Sequence, residues 1–312
     1  MLLRDYAITP DVFDETSYPH PSTCEAELRG IKDILLEEGL VRDLGDGHWR
    51  RLLLSDARPW NRRGKELLKK LVQQNRLMPH VLSGAAMPSD GDDVAWCREA
   101  IATNAVSPFT GGIIVTESVK QSFSKEPLVA RIDRLSSSPW WSSRSSSVRV
   151  QRNLNDYRKN LEPVLRCARS IMIIDPHLDP TQRRYSDVIH LLTAMGGRMP
   201  RPLIEVHRVC WFDSRDKRDQ HDEAGWQNLF ASWTQPLKDC KLQCEVFIWD
   251  DFHDRYIISD LVGIGMQNGL DTTAATDLTT WHRLGRDQRD DIQREFDPAS
   301  GRHKLRHRFT IP

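Results

Sequence analysis

His253 and Arg255 stand two positions apart in the segment His253–Asp260, HDRYIISD. On a strand, side chains alternate faces with period two, so these two point the same way, about 7 Å apart along the chain. An imidazole beside a guanidinium suits a phosphate. The imidazole can attack phosphorus or move a proton, and the guanidinium can grip two non-bridging oxygens at once. Ser259 shares their parity; Asp260 does not, and joins them only where the strand turns. Asp250 and Asp251, just ahead, are turn residues or carboxylates that favour the charged form of His253. The following segment, Leu261–Gly269, LVGIGMQNG, carries Gly263 and Gly265, which let the backbone come close to a ligand or to another strand. Asn268 offers an amide at the end of that hairpin.

This spacing resembles the phospholipase D superfamily, marked by His-x-Lys, four residues, Asp, and then a Gly-Ser-x-Asn element. The chain has His253, Arg255 and Asp260, followed by Gly265-Met266-Gln267-Asn268. It looks closest to the phospholipase D-like domain found C-terminal to MIT domains and to bacterial relatives with an HDR signature. It shares with them Asp175-Pro176 closing an early strand and Gly269-Leu270-Asp271 after the hairpin. The resemblance covers roughly residues 150–312. Arg255 stands where the family has lysine, and Met266 where it has serine.

The resemblance implies metal-independent and cofactor-independent cleavage of a phosphodiester. His253 would form a phosphohistidine, Arg255 would hold the phosphate, Asp260 and Asn268 would complete the catalytic set, and Ser259 and Gly265 would line the substrate. Family sites need two motif copies; one is present, which implies a homodimer. A nuclease, with nucleic acid as its partner and a place in bacterial anti-phage or restriction-type defence beside a partner protein, is the expectation on this line. MIT-associated relatives resemble binding domains, so the alternative is a catalytically inactive lobe that binds nucleic acid, anionic lipid or a partner protein. A third reading makes the chain a structural subunit of a larger assembly, with its ten tryptophans as interface anchors.

Around these residues the pattern predicts an α/β protein: a helix-rich N-terminal domain at 1–133, a Ser-rich linker at 134–149, and a phospholipase D-like α/β lobe with a mixed sheet at 150–312. In the first part, Thr9-Pro10 reads as a helix start, Ser22 with Glu25 as a capping box, and Leu28, Ile31, Ile34 and Leu35 as an apolar stripe ended by Gly39. Helices are expected over 61–75, with Arg62, Arg63, Lys65, Lys69 and Lys70 on one face, and over 92–104; a strand is expected over 111–116. Asp43–Gly47, DLGDG, reads as a turn. In the linker, RLSSSPWWSSRSSSVR, Trp140 and Trp141 dock onto a neighbour or anchor a partner. The second part alternates helical stretches (152–170, 185–195, 226–238, 283–296) with strand-like ones (171–174, 202–212, 242–249), the rhythm of a mixed α/β sheet.

Weaker signals surround this core. Asp175, His177 and Asp179 alternate and are metal ligands or, more simply, a strand-to-loop stop. His207 reads as a packed histidine. The run Arg302–Phe309, RHKLRHRF, brings Arg302, Lys304, Arg306 and Arg308 together as an edge strand or a phosphate-contacting strip. With 44 basic and 44 acidic residues there is no global field to draw in nucleic acid or an anionic membrane, so any such contact is local. The six scattered cysteines and the opening MLLRDYAITP, which lacks an apolar run, point to a reducing, cytoplasmic setting. No apolar run is long enough to span a membrane, which leaves peripheral contact open.

Overall fold

A computed structural model describes residues 2–81, 88–211 and 221–312. The chain divides into two compact units, Leu3–Ser145 and Ser146–Pro312. The division falls inside the Ser-rich segment.

The first unit is helical at the surface, but its centre is a parallel sheet of β1 (Arg4–Ile8), β2 (Gly39–Asp43), β3 (Leu77–His80), β4 (Ile113–Val115) and β5 (Val129–Arg131), in the order β3-β2-β1-β4-β5. Of these strands only β4 announces itself in the sequence. The others are three to five residues long; β1, β2 and β5 are mostly buried, and a buried parallel strand has no polar alternation to mark it.

The helices obey local rules. Asn61 caps Arg62–Gln73 by accepting the Arg63 amide at 2.9 Å, and Asp92 caps Asp93–Val106 by accepting that of Ala95 at 2.8 Å. Pro21 opens Pro21–Glu37, with His20 as its N-cap, so Ser22 and Glu25 form no capping box; Glu25 instead pairs with Arg29 and Arg63. Thr9-Pro10 starts only a 3-10 turn, Pro10–Phe13. Gly45, Asp46 and Gly47, in the expected turn, all have positive φ before the chain enters a helix. A buried ion pair ties the sheet to its surroundings: the Arg42 guanidinium donates to Asp5 from Nε at 2.8 Å, and to the Thr103 hydroxyl.

The Ser-rich segment is no free linker up to Ser145. Trp141 is buried and its ring lies 5.8 Å from Tyr6, while Trp140 lies 6.0 Å from Tyr6. A Cβ on Gly112 would sit 2.3 Å from the Trp140 ring, so the indole packs directly on backbone. Across the chain nine of the ten tryptophans are buried, which makes them core residues rather than exposed interface anchors.

The second unit holds a mixed eight-stranded sheet. Its strands are β6 (Ser147–Gln151), β7 (Ser170–Ile174), β8 (Leu203–Val209), β9 (Cys244–Trp249), β10 (Tyr256–Ser259), β11 (Gly263–Met266), β12 (Leu278–Arg283) and β13 (Leu305–Ile311). The order is β13-β9-β8-β7-β10-β11-β12-β6. The central β7, β8 and β9 run parallel, and β10 returns antiparallel against β7. His207, on β8, is fully buried: it stacks on Phe247 at 4.6 Å and accepts the Trp249 indole N–H at 3.0 Å. Burial holds its pKa below the usual histidine range. Register fixes the rest. Tyr256 lies opposite Ile174 and Gly265, so the ends of β7 and β11 and the start of β10 meet along one edge of the sheet. The carboxyl ends of β8 and β9 reach the same edge, where Val209 lies beside Trp249.

Candidate functional site at the carboxyl edge of the second sheet

Loops leaving the carboxyl ends of parallel strands converge, and open α/β sheets place ligands there. Asp175 follows β7. Solvent does not reach it, and burial drives its carboxyl well above the usual carboxylate pKa, opposed by the His177 amide and by Arg255. The His177 N–H donates to Oδ1 at 3.0 Å and the Tyr185 hydroxyl at 3.4 Å, while Nε of Arg255 stands 3.8 Å from the same oxygen. That last separation is an ion-pair contact rather than a hydrogen bond. The turn after β11 closes on this carboxylate. Gly269 has φ +60°, and a Cβ there would lie 2.0 Å from Oδ2 of Asp175, so the backbone approach excludes any side chain.

His253 and Arg255 do not lie on a strand. They occupy the irregular stretch between β9 and β10, so the parity argument does not position them; the sheet edge does. The Arg255 guanidinium reaches back to the His253 carbonyl at 3.5 Å, and the Arg255 carbonyl accepts the Met266 amide at 2.9 Å. His253 is exposed, with Nε2 3.8 Å from a carboxylate oxygen of Asp251. Its ring centre is 6.2 Å from that of Trp211, which follows β8. On Trp211 also packs the ring of His177, at 5.2 Å and edge-on. His177 is partly buried, and its pKa is pushed down to about 4 by burial first and then by Arg255, Arg184, Arg208 and His253. His177 is thus a neutral imidazole among the cations that lower its pKa, beside the exposed imidazole of His253, with Asp175 and Asp251 as the neighbouring carboxylates.

The other expected site residues lie elsewhere. Ser259 and Asp260 are at the opposite end of β10, roughly 13–16 Å from Arg255 by the rise of a strand. Asp260 accepts the backbone amides of Arg169 and Ser170 at 2.9 and 3.4 Å, holding the start of β7. Ser259 is buried and its hydroxyl closes the β10–β11 turn on Val262. Gly265 admits a protein side chain rather than a ligand, since a Cβ there would lie 2.3 Å from the His282 ring. Asn268 is at the correct edge but exposed, and its amide oxygen accepts the Thr279 hydroxyl at 3.2 Å.

The C-terminal run forms edge strand β13. Its arginines meet carboxylates within the chain: Arg302 with Asp291 at 2.9 Å, Arg306 with Asp250 at 2.7 Å, and Arg308 with Glu245 at 2.5 Å. Lys304 pairs β13 with the loop after β9 through its carbonyl, which accepts the Asp250 amide at 2.9 Å. Arg308 thus meets β9 itself, Arg306 the residue just after it, and Arg302 the helix Arg286–Glu295, so the run is not an open basic strip. Asp179 turns away from Asp175 and His177 to bind Thr181 and Gln182, and among the described residues no three His, Cys, Asp or Glu side chains converge to hold a metal. None of the six cysteines forms a disulfide.

Sequence reasoning missed Trp211 and Arg184 and gave His177 only a turn or metal role. For Trp211 and His177 the available signal was positional, since each closely follows the carboxyl end of a parallel strand; Arg184 lies in the 3-10 turn Arg183–Tyr185 and had no such signal.

The first unit has its own polar cluster where its strand order reverses between β1 and β4. Asp11 is buried, accepts the Thr116 amide and hydroxyl on one oxygen, and leaves the other, Oδ1, without a partner. Arg58 lies against Asp93 at 2.8 Å and Asp14 at 3.7 Å, so a cation of the chain already answers the neighbouring carboxylates.

No family model matches the chain, and no curated protein matches it. Among the described residues no helix is long and apolar enough to cross a membrane. Among solved structures, that of TrmBL2, an archaeal chromatin protein with a novel mode of DNA binding, is similar over 80% of this chain and 84% of that one, at 11% identity and a TM-score of 0.29. A likeness that slight carries no argument about this chain.

Proposed function

We propose that the second unit cleaves phosphodiesters, with nucleic acid as substrate, by nucleophilic attack of His253 on phosphorus, needing no metal. One observation carries this reading: Arg255, tethered to the buried Asp175, stands at the same sheet edge as the exposed imidazole of His253. A guanidinium fixed by a carboxylate is a preorganised clamp for two phosphoryl oxygens. An exposed imidazole beside it can take the phosphoryl group while the leaving oxygen departs, and water then returns it. Arg255 replaces the lysine of the family it resembles with a planar fork suited to the same anion. A homodimer joining two such edges is the arrangement that the resemblance implies.

A non-catalytic, anion-binding lobe is favoured by one feature: Met266, buried, puts a thioether where family sites have a hydroxyl. The two readings separate when labelled single- and double-stranded DNA and RNA are incubated with wild type and His253→Ala in EDTA, with oligomeric state recorded. Cleavage that disappears in the variant supports the enzyme. Binding that survives the substitution, with no cleavage by either protein, supports the lobe.

A further inference from the structure

A phosphohistidine route needs two proton-competent groups, one to attack phosphorus and one to protonate the leaving oxygen and later take a proton from water. Families with two motif copies draw both from the motif, whereas this chain has one. Yet two imidazoles stand at the site edge. His177 and His253 pack against the same indole, Trp211, with ring centres 5.2 and 6.2 Å from it. The His177 amide shares Oδ1 of Asp175 with Arg255, so one carboxylate positions both the loop that bears His177 and the phosphate clamp.

We propose that His177 is the second proton-transfer group of this site, so that a single chain supplies both imidazoles; this rests on the reading of His253 as nucleophile. In the first half-reaction a ring nitrogen of His253 forms the N–P bond, the P–O bond to the leaving group breaks, and the departing oxygen takes the proton of the His177 imidazolium. In the second, water attacks phosphorus and gives its proton to neutral His177, and the N–P pair returns to the His253 ring. Atoms and charges balance, with water as the sole co-reactant.

The charges around His177 explain how it becomes loaded. It is kept neutral by burial and by Arg255, Arg184, Arg208 and His253, while Asp175 is engaged with Arg255 and Asp251 with His253. An entering phosphodiester brings a negative charge among those cations, and an opposite charge nearby favours the protonated ring. Proton uptake is thereby coupled to substrate, and the acid is armed only when there is a leaving group to protonate.

The test compares an oligonucleotide, whose alkoxide leaving group needs an acid, with bis(4-nitrophenyl) phosphate, whose leaving group does not. In the first turnover, His177→Gln should slow oligonucleotide scission by about 10²–10⁴-fold and the burst of 4-nitrophenolate from the activated ester by less than about tenfold. Equal first-turnover losses on both substrates, or no loss on the oligonucleotide, overturn the assignment while leaving His253 untouched. If wild type cleaves neither substrate, the nucleophile reading fails and this one with it. A second measurement does not depend on the variant folding: inorganic phosphate added to wild type should raise the titration midpoint of the His177 ring proton in the NMR spectrum by at least about one unit. A midpoint that stays put while phosphate binds contradicts the proposal.

Discussion

The Arg255 guanidinium stands over a carboxylate that solvent does not reach, with Nε 3.8 Å from Oδ1 of Asp175. Burial raises the pKa of that carboxyl. The folded state thus binds its proton more tightly than the unfolded chain, and the sign of the linkage is that stability falls as pH rises above the ordinary carboxylate value. Asp175→Asn removes the ionisation and the tether together. Its urea midpoint at pH 8 should equal or exceed that of wild type, while oligonucleotide cleavage drops on the order of 10²-fold because the clamp is no longer fixed. A less stable variant with full activity would contradict this division of labour.

His177 gives the opposite pH signature. Its folded pKa of about 4 lies below the ordinary histidine value of 6.5. The unfolded chain takes the proton first, so stability is complete above about pH 6.5 and is lost as pH falls from there toward 4. After allowance for partial exposure the loss is on the order of 1–2 kcal/mol. Urea melts at pH 7.5 and 5.0 should converge for His177→Gln relative to wild type.

Gly269→Ala should be among the costliest single substitutions in the second unit. Its Cβ would fall 2.0 Å from Oδ2 of Asp175, and its φ of +60° is a left-handed conformation that costs a side-chain-bearing residue about 1–2 kcal/mol by itself. Chemical denaturation should register a loss above about 2 kcal/mol.

Asp260 is a structural residue in this account. Asp260→Ala removes an acceptor from the amides of Arg169 and Ser170 and should cost about 1–2 kcal/mol. Cleavage per folded molecule should remain close to that of wild type, as measured by kcat at a temperature where both proteins are folded.

The β13 ion pairs make a prediction about salt. Arg302, Arg306 and Arg308 already face carboxylates, so Arg306→Ala should change the slope of log binding constant against log salt for oligonucleotides by less than about one. Arg255→Ala should change both slope and affinity.

What the sequence disclosed follows from how far each signal reaches along the chain. Helical periodicity is local, and the helices expected over 61–75 and 92–104 are present as Arg62–Gln73 and Asp93–Val106. The β10–β11 hairpin was legible from its glycines. Period-two parity names the face of a strand but not its end, so it could not say that Asp260 sits at the edge opposite Arg255. The β13 ion pairs depend on Glu245 and Asp250 on or beside a different strand, and no local pattern in Arg302–Arg308 carries that information. His177 joins His253 only because β7, β8 and β9 run parallel and share a carboxyl edge. The short strands β1, β2 and β5 were hidden by burial on both faces, which erases the polar alternation that marks a strand, and β3 by its shortness and its proline.

The proposed reaction passes through a covalent bond between His253 and phosphorus. It is tested most directly by mixing protein with oligonucleotide in EDTA, quenching in alkali, where phosphohistidine survives, and mapping the adduct by mass spectrometry. A nucleotidyl or phosphoryl adduct should form on the peptide containing His253 within the first turnover and be absent from His253→Ala. Cleavage that proceeds with no adduct, or that continues undiminished in His253→Ala, would contradict it.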